Sequence, residues 1–294
     1  MWLQFSRTLA PETSHGPALI ALWRHYGWKK AVILGTIDTI WFESGLGLTK
    51  RLEAAEIQVL KPSAFEPGNF KAATLREIKR SGIRIVMLLA FDADFKAVAL
   101  SASQEGMTSA GWAWVLTEGL YSAVLEQMQG WVYVLPLLPS DGLQAFAEKV
   151  GNYSKSRFGV LLSTAQAVDL TYSQTLYDAV MLYAHAATKV LSEGGDLRDG
   201  QAVTAAVRST TFEGVGGSAV ALDENGDRVE SYEIMNYVVG ADGAISGVPV
   251  GKYDSTERQY TAYERAVVWP GSTMEVPKDM EDTRREGLCL LFPP

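Results

Sequence analysis

The chain has 294 residues, 47% of them hydrophobic and 20% charged, with a net charge of −8. That is enough chain for two globular lobes, and its acidic balance argues against a nucleic-acid partner, which needs a concentrated positive surface. A single cysteine, Cys289, excludes an intrachain disulfide and a thiolate metal site, and His15, His25 and His185 show no metal-ligand spacing. No apolar run reaches the roughly 18–20 residues of a membrane span. The first residues, MWLQFSRTL, do not read as a signal peptide.

In chain order, Phe5–Leu9 reads as a short extended piece. Gly16-Pro17 opens a helix with Leu19, Leu22, Trp23 and Tyr26 on one face, and Gly27 stops it. A buried strand, Ala31–Gly35, leads through a polar loop, Thr36–Trp41, to a helix from about Ser44 to Ala55. Ile57–Leu60 is strand-like. Asn69 caps a helix over Phe70–Arg80, and Ile83–Ala90 is an apolar run of buried-strand length. The loop Phe91–Asp94 precedes a helix over Phe95–Glu105. Trp112–Leu116 is the next strand, followed by the loop Thr117–Tyr121. This alternation predicts an α/β fold with a doubly wound parallel sheet.

From Gly130 the texture changes. Trp131–Leu138 is strand-like, a helix starts at Asp141, and residues 151–162 read as loop. Thr164–Leu191 is the longest helical pattern and is apolar on two sides. A helix over Gln201–Arg208 follows, with Asp199 as its cap. Ser218–Leu222 and Val229–Tyr237 read as strands of a hairpin around Asn225-Gly226. Ala244–Tyr253 and Tyr263–Trp269 read as further strands, and residues 270–294 as a tail or linker.

In an open parallel sheet, ligands bind beyond the carboxyl ends of the strands. Three loops sit there, with aromatics Trp41, Phe91 and Tyr121 and carboxylates Asp38, Asp92, Asp94 and Glu118. Each aromatic taken singly reads as core packing or loop anchoring. The set at one sheet edge reads as a site for a small polar or cationic ligand. GVGGSA (214–219) follows a helix and opens a strand, so it reads as a turn and not a dinucleotide loop. DENGD (223–227) lacks the alternating ligands of a calcium loop. No GxSxG, Walker loop, HExxH or CxxC is present, so nothing indicates an enzyme or a cofactor. Asn152-Tyr153-Ser154 is a single glycosylation triplet.

At FSRT (5–8), GPALIALWRHYGWKKAVIL (16–34), FESG (42–45), YDAVMLYAHA (177–186), FEGVGGSAVALDENGDRVESYEIMNY (212–237), VGKYDST (250–256) and VVWPGSTMEVP (267–277), the sequence resembles the receptor-family ligand-binding region. This is the type I periplasmic-binding-protein fold of class C G-protein-coupled receptors and natriuretic-peptide receptors. FEGVGGSAV, DENGDR and GKYDST look most like the type B γ-aminobutyrate receptor branch. The resemblance implies two lobes joined by three hinge strands, with a small ligand between them that drives closure. Residues 1–10 would be the first hinge crossing, 11–130 with 231–270 the second lobe, 131–230 part of the first lobe, and 271–294 a tail. The family carries roughly a domain's worth of chain before FSRT, so the first lobe is expected to be incomplete. The long helix is then expected to expose an apolar face.

Carried over by position, the ligand residues are Trp41, Phe91 and Glu118, with Tyr121 beside them. Tyr172 stands where the γ-aminobutyrate branch has an acidic residue five positions before YDA. The expected ligand is an amino acid or similar small molecule, with no cofactor and no nucleic acid. A homo- or heterodimer is implied, on the extracellular side of a membrane reached only through segments outside this chain. The rival readings are a solute-binding protein of a transporter, a truncated remnant, and a Rossmann-like enzyme.

Overall fold

The computed structural model describes residues 5–119, 124–137, 140–162 and 171–280. In chain order the elements are α1 (Gly16–Tyr26), β1 (Lys30–Thr36), α2 (Thr39–Ala54), β2 (Gln58–Phe65), α3 (Ala72–Arg80), β3 (Ile85–Leu89), α4 (Asp92–Gln104), β4 (Ala113–Leu116), β5 (Val132–Pro136), α5 (Ser140–Phe158), α6 (Thr171–Ser192), α7 (Gly200–Ser209), β6 (Phe212–Glu213), β7 (Ala219–Val220), β8 (Tyr232–Val239), β9 (Ile245–Asp254) and β10 (Gln259–Ala262). They form two compact units. One comprises Met1–Ser14 and Pro136–Glu230, and the other His15–Leu135 and Ser231–Pro294.

The larger unit is built on one sheet in the order β10-β9-β8-β5-β4-β3-β1-β2. β1 pairs in parallel with both β2 and β3, β3 with β4, and β4 with β5. β8, β9 and β10 pair antiparallel. The central parallel strands β3 and β4 are apolar throughout because both faces are covered. Ile33, Met87, Leu89 and Val115 belong to one core with Leu22 and Trp23 of α1 and Leu48 and Leu52 of α2. Their neighbours Val32, Leu34, Val86, Leu88 and Leu116 belong to a second core with Ile78 of α3 and Phe95 and Val98 of α4. One-residue alternation thus assigns each strand side chain to one of two helical layers, which is the doubly wound α/β architecture expected.

The departures from the sequence reading have local causes. Helix α2 starts at Thr39, not Ser44, because the Asp38 carboxylate accepts the Trp41 N–H at 3.0 Å and caps it directly after β1. Helix α4 likewise starts at Asp92, with Asp92 and Asp94 in its first turn, where negative charge suits the helix dipole. Asn69 does not cap α3, whose preceding residue is Lys71. Strand β8 pairs with β9, and the hairpin read around Asn225-Gly226 is reduced to an isolated Leu222–Arg228 bridge. The last strand is Gln259–Ala262 and not Tyr263–Trp269. Residues 271–280 are no free tail. The Trp28 indole N–H donates to the Pro277 carbonyl at 2.7 Å, the Lys29 N–H to the Asp279 carboxylate at 2.6 Å, and the Arg84 N–H to the Asp279 carbonyl at 3.1 Å.

The smaller unit, as described, holds α5, α6, α7 and the ribbon β6–β7. Helix α5 runs to Phe158, through residues read as loop. The inner side of α6 places Ala186 and Val190 against Ala206 of α7. Its other side leaves Leu176, Val180 and Tyr183 exposed, at 68%, 62% and 52%. The apolar face expected on this helix is present.

A buried charge cluster ties this unit together. The Arg228 guanidinium donates to the Thr8 carbonyl at 3.2 Å, to Asp178 Oδ2 at 3.4 Å and to the Ser218 hydroxyl at 3.1 Å. Glu230 Oε1 lies 3.3 Å from its Nε. Asp178 also accepts the Val215 N–H at 2.9 Å, and a Cβ on Gly214 would meet its carboxylate at 2.6 Å. Burial raises the Glu230 pKa, and Arg228 opposes the rise. Asp178→Ala removes the carboxylate from a guanidinium that is almost fully buried. The expected cost is roughly 3–5 kcal/mol, read as a lowered unfolding midpoint by far-ultraviolet circular dichroism. Wild-type stability in that variant would refute the role assigned to the cluster.

Candidate ligand-binding site

The parallel strands β2-β1-β3-β4-β5 change direction of progression between β1 and β3. The connections leaving those two strands turn to opposite faces, which opens a crevice at their carboxyl ends, the topological switch point. Trp41 follows β1 and Phe91 follows β3, and the structure brings the two together there. Their ring centroids are 5.4 Å apart in an edge-to-face arrangement. The two rings differ in role. Trp41 is 2% exposed and belongs to the core under α2, whereas Phe91 is 49% exposed. Trp41 therefore props Phe91, and Phe91 presents the ring to solvent. The prop is rigid because Trp41 sits in the first turn of α2. Asp38 holds the Trp41 N–H and also accepts a hydrogen bond from the buried Thr36 hydroxyl.

The next strand, β4, brings Thr117 and Glu118 to the same edge. Thr117 is 1% exposed, and its hydroxyl has no hydrogen-bond partner among the described residues; the Trp41 indole N–H has none either. Burial, and then the Asp92 carboxylate, push Glu118 above the usual carboxyl range. Asp94 is already committed, accepting the Gly68 N–H at 2.8 Å. Gly119 lies on Tyr133, whose ring would be 3.0 Å from a Cβ there. Tyr133 stacks on Tyr237 at 4.5 Å, and burial first, then Glu233, push its hydroxyl up to about 12. The segments 36–43, 90–94 and 117–119 contain five carboxylates and no lysine or arginine. This edge offers an exposed aromatic face, a hydroxyl and desolvated carboxyls, a set suited to an amine.

Tyr121 lies outside the described residues. Tyr172 falls on α6 in the smaller unit, and its side chain is likewise outside them. Thr117 is the residue that sequence reasoning missed. Its signal was there: a lone hydroxyl closing the apolar run WAWVLT, at the end where loops carry ligands. A cavity of about 430 Å³ lined by Arg84 and Trp112 lies at the opposite, amino-terminal edge of β3 and β4.

Residues 1–240 match the family model of the receptor family ligand-binding region. This chain belongs to that family. The receptor ligand-binding region in hand is 25% identical over 237 residues to atrial natriuretic peptide receptor 3 of Bos taurus, covering 75% of this chain and 44% of that protein. It is 23% identical over 294 residues to metabotropic glutamate receptor-like protein E of Dictyostelium discoideum, covering 94% and 35%. It is 24% identical over 299 residues to guanylate cyclase 32E of Drosophila melanogaster, covering 90% and 25%. The chain thus spans less than half the length of each of these relatives, which are receptors or receptor-like proteins and a cyclase. Among the described residues, no helix is long and apolar enough to cross a membrane.

The raised value at Glu118 makes stability depend on pH. The folded ligand-binding region holds the Glu118 proton more tightly than the unfolded chain does. Its contribution is therefore largest below the ordinary glutamate value and declines as pH rises through the raised one. Glu118→Gln, neutral throughout, should match wild type at about pH 4 and exceed it at about pH 7. Urea midpoints at the two values check this, and an equal difference at both would show that the carboxyl is not desolvated in the fold.

Proposed function

We propose that this chain is the extracellular ligand-binding region of a cell-surface receptor. It takes an amino acid or a related small amine at the switch point of its larger lobe, and lobe closure on that ligand is the signal. In this reading residues 11–130 with 231–270 form the ligand-contacting lobe and 131–230 belong to its counterpart. Membership of the receptor family supports the class. The observation that carries the site is the convergence of Phe91, Thr117 and Glu118 at one sheet edge, with a buried hydroxyl that has no partner among the described residues and a half-buried carboxyl whose pKa is raised. An ammonium beside Glu118 relieves the repulsion from Asp92 and supplies a donor to the carboxyl. The Thr117 hydroxyl takes a second polar group, and the ligand body lies on Phe91.

This arrangement couples binding to a proton. An ammonium binds the ionised form of Glu118, so affinity rises with pH as Glu118 loses its proton. Ligand is found by thermal shift with a panel of amino acids and small primary amines. A ligand at 100 times its Kd stabilises by about 2.7 kcal/mol. Thr117→Val is the sharper test. It removes an unsatisfied buried hydroxyl, so the free protein should be as stable as wild type or more so, by up to about 1–2 kcal/mol. Affinity for the amine found in the screen should fall about 5–10-fold, the worth of one hydrogen bond. A variant that loses stability and keeps its affinity would assign Thr117 to packing and move the site elsewhere.

A further inference from the structure

We infer that Asn152 is a site of N-linked glycosylation on the outer surface of the smaller unit. The inference rests on the extracellular location proposed above. Asn152-Tyr153-Ser154 is the one Asn-X-Ser/Thr triplet in the 294 residues, and its middle residue is not proline. The sequence alone leaves the triplet as a chance match. Its place in the fold adds that a glycan there is compatible with the folded unit.

Asn152 lies on α5, between Phe146 and Ala147, which are buried, and the end of the helix at Phe158. Residues Ala145, Glu148, Lys149, Asn152 and Lys155 recur at helical spacing, and all are exposed. They make one polar outer stripe with Asn152 in its middle. A branched sugar on the Asn152 amide therefore meets solvent and displaces no core side chain. Beside this stripe two rings are uncovered: Tyr153 is 62% and Phe158 67% exposed, with ring centroids 6.1 Å apart. A hydrophilic glycan beside this ring pair shields it from association, the hazard of exposed apolar surface.

The donor is a lipid-linked oligosaccharide pyrophosphate of the secretory pathway. The Asn152 side-chain nitrogen forms a bond to the first sugar carbon. The bond from that carbon to the pyrophosphate oxygen breaks, its electron pair leaving with the lipid pyrophosphate, and the amide gives up one proton. The Ser154 hydroxyl two residues on completes the acceptor triplet. Transfer acts on the emerging chain before α5 closes, so the helix is no obstacle to it, and the exposed stripe keeps the product compatible with the fold.

The test uses the full chain behind a cleavable secretion leader in cultured animal cells, beside Asn152→Gln and Ser154→Ala. Wild type is expected to show a single glycan-sized mobility shift that peptide-N-glycosidase removes, and both variants to lack it. Because transfer precedes folding, whole-cell lysate gives the answer even where a variant folds poorly. An unshifted wild-type chain that has entered the secretory pathway overturns the inference and leaves the receptor reading standing. A shift with the leader, but none on the protein from its own cells, overturns the extracellular location and the native modification with it.

Discussion

Burial of a parallel sheet on both faces is the constraint from which the larger unit follows. Strands β1 to β4 join through the helical crossovers α2, α3 and α4, and apolar side chains on both faces require helices on both. Val86 and Met87 are neighbours in sequence but belong to two different cores, one under α3 and α4 and one under α1 and α2. Once the crossovers leaving β1 and β3 go to opposite faces, a crevice opens between these strands, and it needs no dedicated residue to exist. The site is a by-product of covering two faces. Chemistry is then added by whatever residues end β1, β3 and β4.

Part of the sequence that carries the family likeness, in FSRT, YDAV, FEGVGG and DENGDR, serves a different purpose. Asp178 of YDAV, Gly214 of FEGVGG and Arg228 of DENGDR meet in one buried cluster in the smaller unit. Nearby, Arg7 of FSRT donates to the Asp227 carboxylate at 2.6 Å, and its N–H to the Gly226 carbonyl at 2.9 Å. Gly226 adopts φ +84°, and a Cβ there would stand 2.6 Å from the Phe5 carbonyl oxygen. These residues are held in place by charge burial and close backbone approach, which leave few substitutes. They report the fold, and they lie in a different unit from Phe91, Thr117 and Glu118.

This division explains what the sequence made legible. The alternation of apolar runs located the central parallel strands of the larger unit, because two-sided burial writes each as a continuous apolar stretch, whereas β2, with Lys61 and Ser63 in it, runs on to Phe65 through residues read as loop. Helix starts were read late at Ser44 and Phe95 because the first turns carry Asp38, Asp92 and Asp94, polar residues that resemble loop until the capping bond at Trp41 is seen. The same mistake placed Trp41 on a loop, facing a ligand, when helix α2 draws it into the core and leaves Phe91 as the exposed partner. The strands of β8 and β9 were legible as apolar runs, whereas the Asn225-Gly226 turn signal marks a turn whose flanks make only an isolated bridge, Leu222–Arg228, beside the charge cluster. Residues 271–280 read as tail because their anchors, Pro277 and Asp279, bind the fold through backbone carbonyls and one carboxylate, with no periodic apolar pattern.

Two irregularities of the fold differ in physical character. On α6, Leu176, Val180 and Tyr183 leave apolar surface in water, an arrangement relieved by covering it with any apolar surface of matching shape. At the end of β4, the Thr117 hydroxyl is buried without a partner among the described residues and the half-buried Glu118 carboxyl has the Asp92 carboxylate alongside, and apolar cover does nothing for them. Only a group with a hydrogen-bond donor, and best a positive charge, relieves that cost. The first irregularity is indifferent to the identity of what covers it, whereas the second is selective for chemistry. The two features thus call for different cover: apolar surface over α6, and a hydrogen-bond donor beside Thr117 and Glu118.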